Sequence, residues 1–276
     1  LNERSILVTG CSSGIGYACA KGLKARGYRV IATARSPEDI ARLSDEGLDC
    51  LELDYRHAES VAACAEATAR LTGGKLYALF NNGAYGQPGA VEDIRRDVLE
   101  EIFAANVFGW HDLTRRCLPM IRANGGGRVI NTSSVLGLVS LRWRGAYCAT
   151  KFAVEALTDA LRRELAGSEI RAILIEPGPI ASRFVEHALA AFDRNVDERG
   201  SPYRAFYAAQ RERLNKGGSS RFKLPPEAVF AKLVLALESP VPKARYYVTV
   251  PTYLAAFGRR LLPPRFFDRI LNKVFD

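Results

Sequence analysis

The chain has 276 residues, 48% hydrophobic and 25% charged, a globular composition that excludes overall disorder and permits one large α/β domain or two small ones. Its formal charge of +9 belongs to residues 201–276, with 14 basic and 5 acidic residues, while the first 200 hold 25 of each sign. Six scattered cysteines (11, 19, 50, 64, 117, 148), without C-x-x-C or a Cys/His cluster, argue against a metal centre and point to a reduced, cytoplasmic protein.

Short apolar runs then alternate with helical patterns. Residues 6–8 read as strand one; they follow a charged start so closely that no signal peptide is expected. Residues 15–26 form a helix stopped by Gly27. A second strand, 29–32, precedes Ser36-Pro37-Glu38-Asp39, a helix start with a capping serine and first-turn acids. Strand 51–53 and helix 60–71 follow, then strand 76–80, a long helix 97–122, strand 128–131, helix 146–166 and strand 170–175. A final strand is expected at 246–250. No uncharged stretch is long enough to span a membrane. The alternation predicts one doubly wound domain, a parallel sheet covered on both faces. Two additions break the rhythm: a weakly patterned lid at 181–224, and a basic, apolar tail at 252–276.

Strand one runs into Thr9-Gly10-Cys11-Ser12-Ser13-Gly14-Ile15-Gly16 and then a helix. Glycines there allow a tight turn and close backbone approach to a pyrophosphate, and the helix N-terminus supplies free N–H groups. Such glycines can also be purely structural. Strand two ends Ala32-Thr33-Ala34-Arg35, with no acid to accept from a ribose 2′-hydroxyl. Arg35 can instead bind a 2′-phosphate, so NADP(H) is the expected cofactor.

Tyr147 and Lys151 lie at i and i+4 on one helix face, where an ammonium can draw a phenol into working range; alone, such pairs are usually structural. Asp54, Asn81-Asn82-Gly83, Asn106, Ser133-Ser134 and Pro177-Gly178-Pro179-Ile180 give the pair its company. With these motifs, residues 4–180 resemble the short-chain dehydrogenase/reductase family, in its single-domain NADP-dependent branch. The wording of several motifs looks nearest to bacterial hydroxysteroid and retinol dehydrogenase-like members. The resemblance implies a Rossmann fold and assigns roles. Tyr147 is the general acid/base and Ser134, 13 residues before it, bonds the carbonyl oxygen. Lys151 holds the nicotinamide ribose and lowers the tyrosine pKa, and Asn106 anchors a relay water. Asp54 meets the adenine, Asn81, Asn82 and Gly83 line the adenosine ribose, and Pro177, Gly178, Ile180 and Ser182 flank the nicotinamide. The family's N-N-A-G reads Asn81-Asn82-Gly83-Ala84 here, so a backbone requiring glycine at 84 would be strained.

Loop 138–144 and the lid offer Trp143, Phe184 and other aromatics to a substrate, suiting an aliphatic, aromatic, retinoid or steroid-like carbonyl. Their packing as lid core is an equal reading. Arg142, Arg144 and Arg183 leave room for an anionic or carrier-linked acyl substrate. In the tail, residues 266, 267, 270, 271 and 274 make an apolar stripe flanked by basic residues, fit to pack on the domain or a sister subunit, or to touch a membrane surface. No nucleic-acid reader motif is present. The expected protein is thus an NADPH-dependent carbonyl reductase on a small-molecule carbonyl or alcohol. The resemblance implies a homodimer or homotetramer. A 3-oxoacyl thioester reductase and a non-catalytic NADP(H) sensor are the alternatives.

Overall fold

The computed structural model describes residues 4–215 and 222–275; parts of the expected lid (216–221) and the tail's last residue lie outside them. Among the described residues the strands are β1 (Ser5–Val8), β2 (Arg29–Ala34), β3 (Asp49–Glu52), β4 (Ala78–Asn81), β5 (Gly127–Thr132), β6 (Ile170–Glu176) and β7 (Arg245–Tyr247). They form one parallel sheet in the order β3-β2-β1-β4-β5-β6-β7, the doubly wound arrangement expected. The order reverses between β1 and β4, where an open α/β sheet leaves a crevice beyond its strand ends.

Burial on both faces explains the continuous apolar strands. In β1, Ile6 and Val8 enter one apolar cluster with Leu23 of α1 (Gly14–Ala25) and Leu233 of α9 (Glu227–Glu238). Leu7 points the other way, into a cluster with Val61 of α3 (Ala58–Thr72), Leu113 of α5 (Gly109–Ala123) and Val154 of α6 (Gly145–Glu164). Between β2 and β3, α2 (Pro37–Asp45) starts as read: Ser36 Oγ accepts from the Asp39 N–H at 3.2 Å.

Three elements differ from expectation. The long helix 97–122 is α4 (Arg96–Phe103) and α5 joined by a π-helical turn, Ala104–Phe108, that contains Asn106. The last strand is Arg245–Tyr247, short of 250, because Pro251 suits the first turn of α10 (Val250–Leu261) and cannot donate to a ladder. The lid is helical, with α7 (Phe184–Asn195) and α8 (Arg204–Asn215). Its two ends meet, for Ala181 N–H donates to Leu224 O at 2.8 Å and Leu224 N–H to Pro179 O at 3.1 Å.

The tail adds α11 (Pro264–Phe275) beside α10. Phe267 and Leu271 pack with Ala255 onto Val135 and Val139, and Arg259 Nη1 donates to Leu138 O at 2.6 Å. The stripe read as one face is therefore split, since neighbouring Phe266 is exposed; the side chain of Val274 lies outside those described. No described helix is long and apolar enough to cross a membrane. The six cysteines are free thiols.

Candidate active site

The turn after β1 is tied on both sides. Thr9 Oγ1 accepts from the N–H groups of Asn82 (2.8 Å) and Gly83 (3.1 Å), joining the ends of β1 and β4. Thr33 on β2 takes the Gly10 N–H on its hydroxyl at 3.2 Å and the Cys11 N–H on its carbonyl at 2.8 Å. Gly10 has φ +70°, which favours glycine, and a Cβ at Gly16 would stand 2.1 Å from Gly10 O. At the N-cap of α1, Ser13 makes no side-chain capping bond, and the first turn holds no acid. Free amide N–H groups, two serine hydroxyls (Ser12, Ser13) and absent negative charge fit a pyrophosphate. Ile15 contributes only backbone, its side chain packing into the core. Ser182 closes over the turn, 2.9 Å from where a Cβ on Gly14 would lie.

At the far end of β2, Arg35 is exposed and makes no hydrogen bond or ion pair among the described residues. Asp54, expected at the adenine, is engaged by Arg56 at 2.6 Å, and this guanidinium helps hold its carboxyl below the ordinary value despite partial burial. Asn81 departs from its expected place at the ribose. Its side chain is fully buried, accepting from Tyr55 Oη (2.8 Å) and donating to Thr114 (3.0 Å) and Asn131 (2.9 Å), so it cross-links the layer under the sheet. Asn82 stays at the crevice, with Nδ2 donating to Thr9 O at 3.1 Å. The strain expected at Ala84 is absent, since it has no positive φ and packs with the core. The exchange has a reason at its partner position: Gly83 lies against Gly10, and a Cβ there would meet Gly10 Cα at 3.3 Å.

The catalytic candidates converge on α6. Tyr147 is buried beside Ser134; desolvation pushes its pKa well up, and the neighbouring serine hydroxyl opposes the shift. Ser134 Oγ accepts from Leu136 N–H at 3.1 Å, which leaves its own hydrogen to donate. Ser133, by contrast, is turned inward. Ser134 is held from behind because Val135 N–H donates to Pro177 O at 2.8 Å, and Gly178 is pressed against Thr249.

Lys151 is fully buried, its Nζ donating to Thr132 O at 2.7 Å and standing 4.4 Å from the Trp110 ring centroid. Burial pulls its pKa from 10.5 down to about 7, partly opposed by Glu155 one turn on. The lysine was expected to lower the tyrosine pKa. In the protein alone, burial outweighs it and both groups are driven toward neutrality. Asn106 differs in detail: its amide brackets the Tyr85 backbone, accepting its N–H (3.2 Å) and donating to its C=O (2.9 Å), with Thr150 at 3.3 Å. Its side chain positions the loop after β4, and the π turn that it occupies displaces the helical bonding around it.

Beyond Tyr147 opens a cleft of ≈ 750 Å³ counting its mouth, lined chiefly by Trp143, Phe184, Phe192 and Phe206 with Tyr147 and Arg144. The Phe184 ring meets Tyr147 edge-on at 5.3 Å, and Trp143 stacks on Phe206 at 3.9 Å. Substrate readings from 138–144 and the lid thus fall on one cavity.

A family model described as short chain dehydrogenase matches residues 4–191. The chain belongs to the short-chain dehydrogenase/reductase family. Its chemistry is dehydrogenase/reductase chemistry on a nicotinamide cofactor. Among curated relatives, the chain is similar to an uncharacterized oxidoreductase, YbbO, of Escherichia coli, 42% identical over 98% of this chain and 94% of that one. It is also similar to an NADPH-dependent 3-dehydrocapnine reductase of Ornithobacterium rhinotracheale, 31% identical over 98% and 96%. A solved short-chain dehydrogenase from Streptomyces avermitilis superposes with a TM-score of 0.80 at 29% identity, covering 99% of this chain and 95% of its own.

Several contributors in this dehydrogenase were not singled out from sequence. Thr132 and Trp110 surround the lysine amine, and Thr33 ties the phosphate turn; a threonine within a strand carries no signal of that. Arg245 on β7 pairs with Glu155 and Glu176, bracing α6 against β6. An acid ending an otherwise apolar strand was the available clue. Glu176 is fully buried, and desolvation raises its pKa with Glu155 adding to the shift. Asp93, after β4, accepts from Ser201 Oγ (2.7 Å) and from Tyr207 Oη, and so holds the lid.

Proposed function

We propose that the protein is an NADPH-dependent carbonyl reductase, reversible as an alcohol dehydrogenase, on apolar aldehydes or ketones. The carrying observation is the Tyr147 phenol, beside Ser134 in the wall of an aromatic cleft with Lys151 one turn behind. A bound nicotinamide supplies hydride at its C4. Tyr147, kept protonated by burial, donates to the carbonyl oxygen. Ser134 directs its free hydrogen at the same oxygen and steadies the developing negative charge. Lys151 lies 5.7 Å from the Tyr147 ring centroid, near enough for its charge to favour the phenolate left behind.

The choice of NADPH rests on Arg35, a solvent-exposed guanidinium at the end of β2, where the strand itself supplies no acid, and agrees with the name of the Ornithobacterium relative. Steady-state assays with a panel of aldehydes and ketones, using NADPH and NADH, test the reading. NADPH preference that collapses in Arg35→Ser supports it; an NADH preference overturns the cofactor. Tight NADPH binding without oxidation by any carbonyl favours the sensor alternative. We further propose a homodimer or homotetramer formed through the faces of the α4–α5 segment and α6, where Phe108 and Leu157 are 61% and 46% exposed; light scattering of a single monomeric mass would overturn this.

A further inference from the structure

The arginines around the cleft differ in their partners. Of those read as candidates near the substrate, Arg183 forms an ion pair with Glu186 at 2.9 Å on the surface. Arg211 reaches the cleft but is bound by Asp193 and Glu198. Arg144 is the exception. It lines the cleft three residues before Tyr147, and the one hydrogen bond of its guanidinium among the described residues goes to the adjacent Trp143 carbonyl at 3.3 Å. No carboxylate offsets its burial, which pulls its pKa below the usual guanidinium value; the other group acting on it is the Cys148 thiol. A guanidinium held partly out of water stays charged, and leaving it unpaired is costly unless an anion arrives.

The neighbouring residue repeats the pattern. Trp143 has φ +64°, a left-handed conformation rare for a bulky side chain, and its buried indole Nε1–H has no partner. Strain and unused donors that cluster beside a catalytic group are features that a ligand resolves. Arg144 also precedes α6 without capping it by a side-chain bond, and the first turn of that helix holds no acid. Around these donors the wall is aromatic and aliphatic, including Phe192, Phe206 and Ala188.

Building on the reductase reading, we propose that Arg144 is the receptor for a carboxylate-type anion on the substrate. The carbonyl compound reduced here carries an acidic group separated from the reacting carbon by a short apolar spacer. The guanidinium takes the acid in bidentate fashion, the aromatic wall takes the spacer, and the carbonyl oxygen reaches Tyr147 and Ser134.

The test compares 6-oxohexanoate with its methyl ester on the NADPH-loaded enzyme. The acid is expected to win by roughly 30-fold or more in kcat/KM, carried by KM, and Arg144→Met should bring the acid-to-ester ratio close to one. An ester used as well as the acid by the native enzyme, or an unchanged ratio in Arg144→Met, overturns the inference. Tryptophan fluorescence with hexanoate and hexanamide gives a readout that needs no turnover. If neither aldehyde reacts, the reductase reading fails, yet a hexanoate preference lost in Arg144→Met still upholds the anion receptor, and equal binding refutes it. Should Arg144→Met not fold, the native hexanoate-to-hexanamide ratio decides alone.

Discussion

The two sides of the active site are built on opposite principles. On the cofactor side, the turn after β1 has its backbone bonded to Thr33 and its glycines pressed against Gly10 O and Gly83, with Thr9 joining the two central strands. On the substrate side, Trp143 is held in a left-handed conformation, its indole N–H and the Arg144 guanidinium are left without adequate partners, and the lid helices are held by an aromatic cluster and a few bonds such as Asp93 to Tyr207. The first side is complete before a ligand arrives; the second is completed by one. A common cofactor can be met by fixed backbone geometry, whereas a particular substrate must be met by side chains whose partners it supplies.

The sharpest break in this contrast is Tyr147→Phe, which removes the one proton donor serving both sides. It should lower kcat by about 10²–10⁴-fold while leaving NADPH binding near native, measured by turnover and by cofactor fluorescence titration. Retained turnover would displace Tyr147 from its role. Gly16→Ala probes the closed side, where a Cβ would collide with Gly10 O. Loss of about 1–3 kcal/mol in stability and weakened NADPH binding are expected together, by denaturation and titration.

Lys151 sits between the two sides, and its titration tests whether burial governs it. Its folded-state pKa is depressed from 10.5 to about 7, so the unfolded chain binds more protons between those values. The resulting penalty is full below pH 7 and disappears as pH rises through about 10.5. Lys151→Met should therefore melt higher than the native protein at pH 6, by on the order of 5 °C, with the gap closing toward pH 10.5. A gap independent of pH would refute it.

Asp93→Ala loosens the open side by removing the acceptor for Ser201 and Tyr207. The carbonyl KM should rise about tenfold, with NADPH KM unmoved, in keeping with loss of a charged hydrogen-bond acceptor. Equal effects on both constants would show that the sides are not separable. The smallest effect is expected of Ala84→Gly, at most about 1 kcal/mol from added chain entropy, because Ala84 occupies ordinary backbone space. A large gain in activity would mean that strain is present there after all.

Legibility in the sequence follows the same division. The parallel sheet, the glycine turn and the Tyr147–Lys151 pairing on one helix face could be read because each depends on local spacing, and the family resemblance added Ser134; the strand order came from the fold. The location of Asn81 within the layer could not, since it depends on Tyr55, Thr114 and Asn131, which lie 26, 33 and 50 residues away. The lid shows little pattern over its whole length, yet within α7 Phe184, Val185, Ala188, Leu189 and Phe192 face the cleft at helical spacing. The tail stripe was seen as one face, but the loop at Val135–Gly137 and its continuation to Leu141 accept only part of it.

What the sequence determined by itself is the doubly wound fold and the glycine turn after the first strand, because periodicity and short-range spacing carry them; the roles of Tyr147, Lys151 and Ser134 came from the family resemblance. Tertiary structure alone decided how charge is distributed in the site. Burial at the foot of α6 makes Tyr147 a neutral acid and brings Lys151 to about 7. Packing likewise gave Arg211 its carboxylates and left Arg144 none, while Arg183 found Glu186 three residues on. In sequence these three are identical residues. Only the distance to the nearest carboxylate and the water excluded around each makes them different, and both are properties of the folded chain.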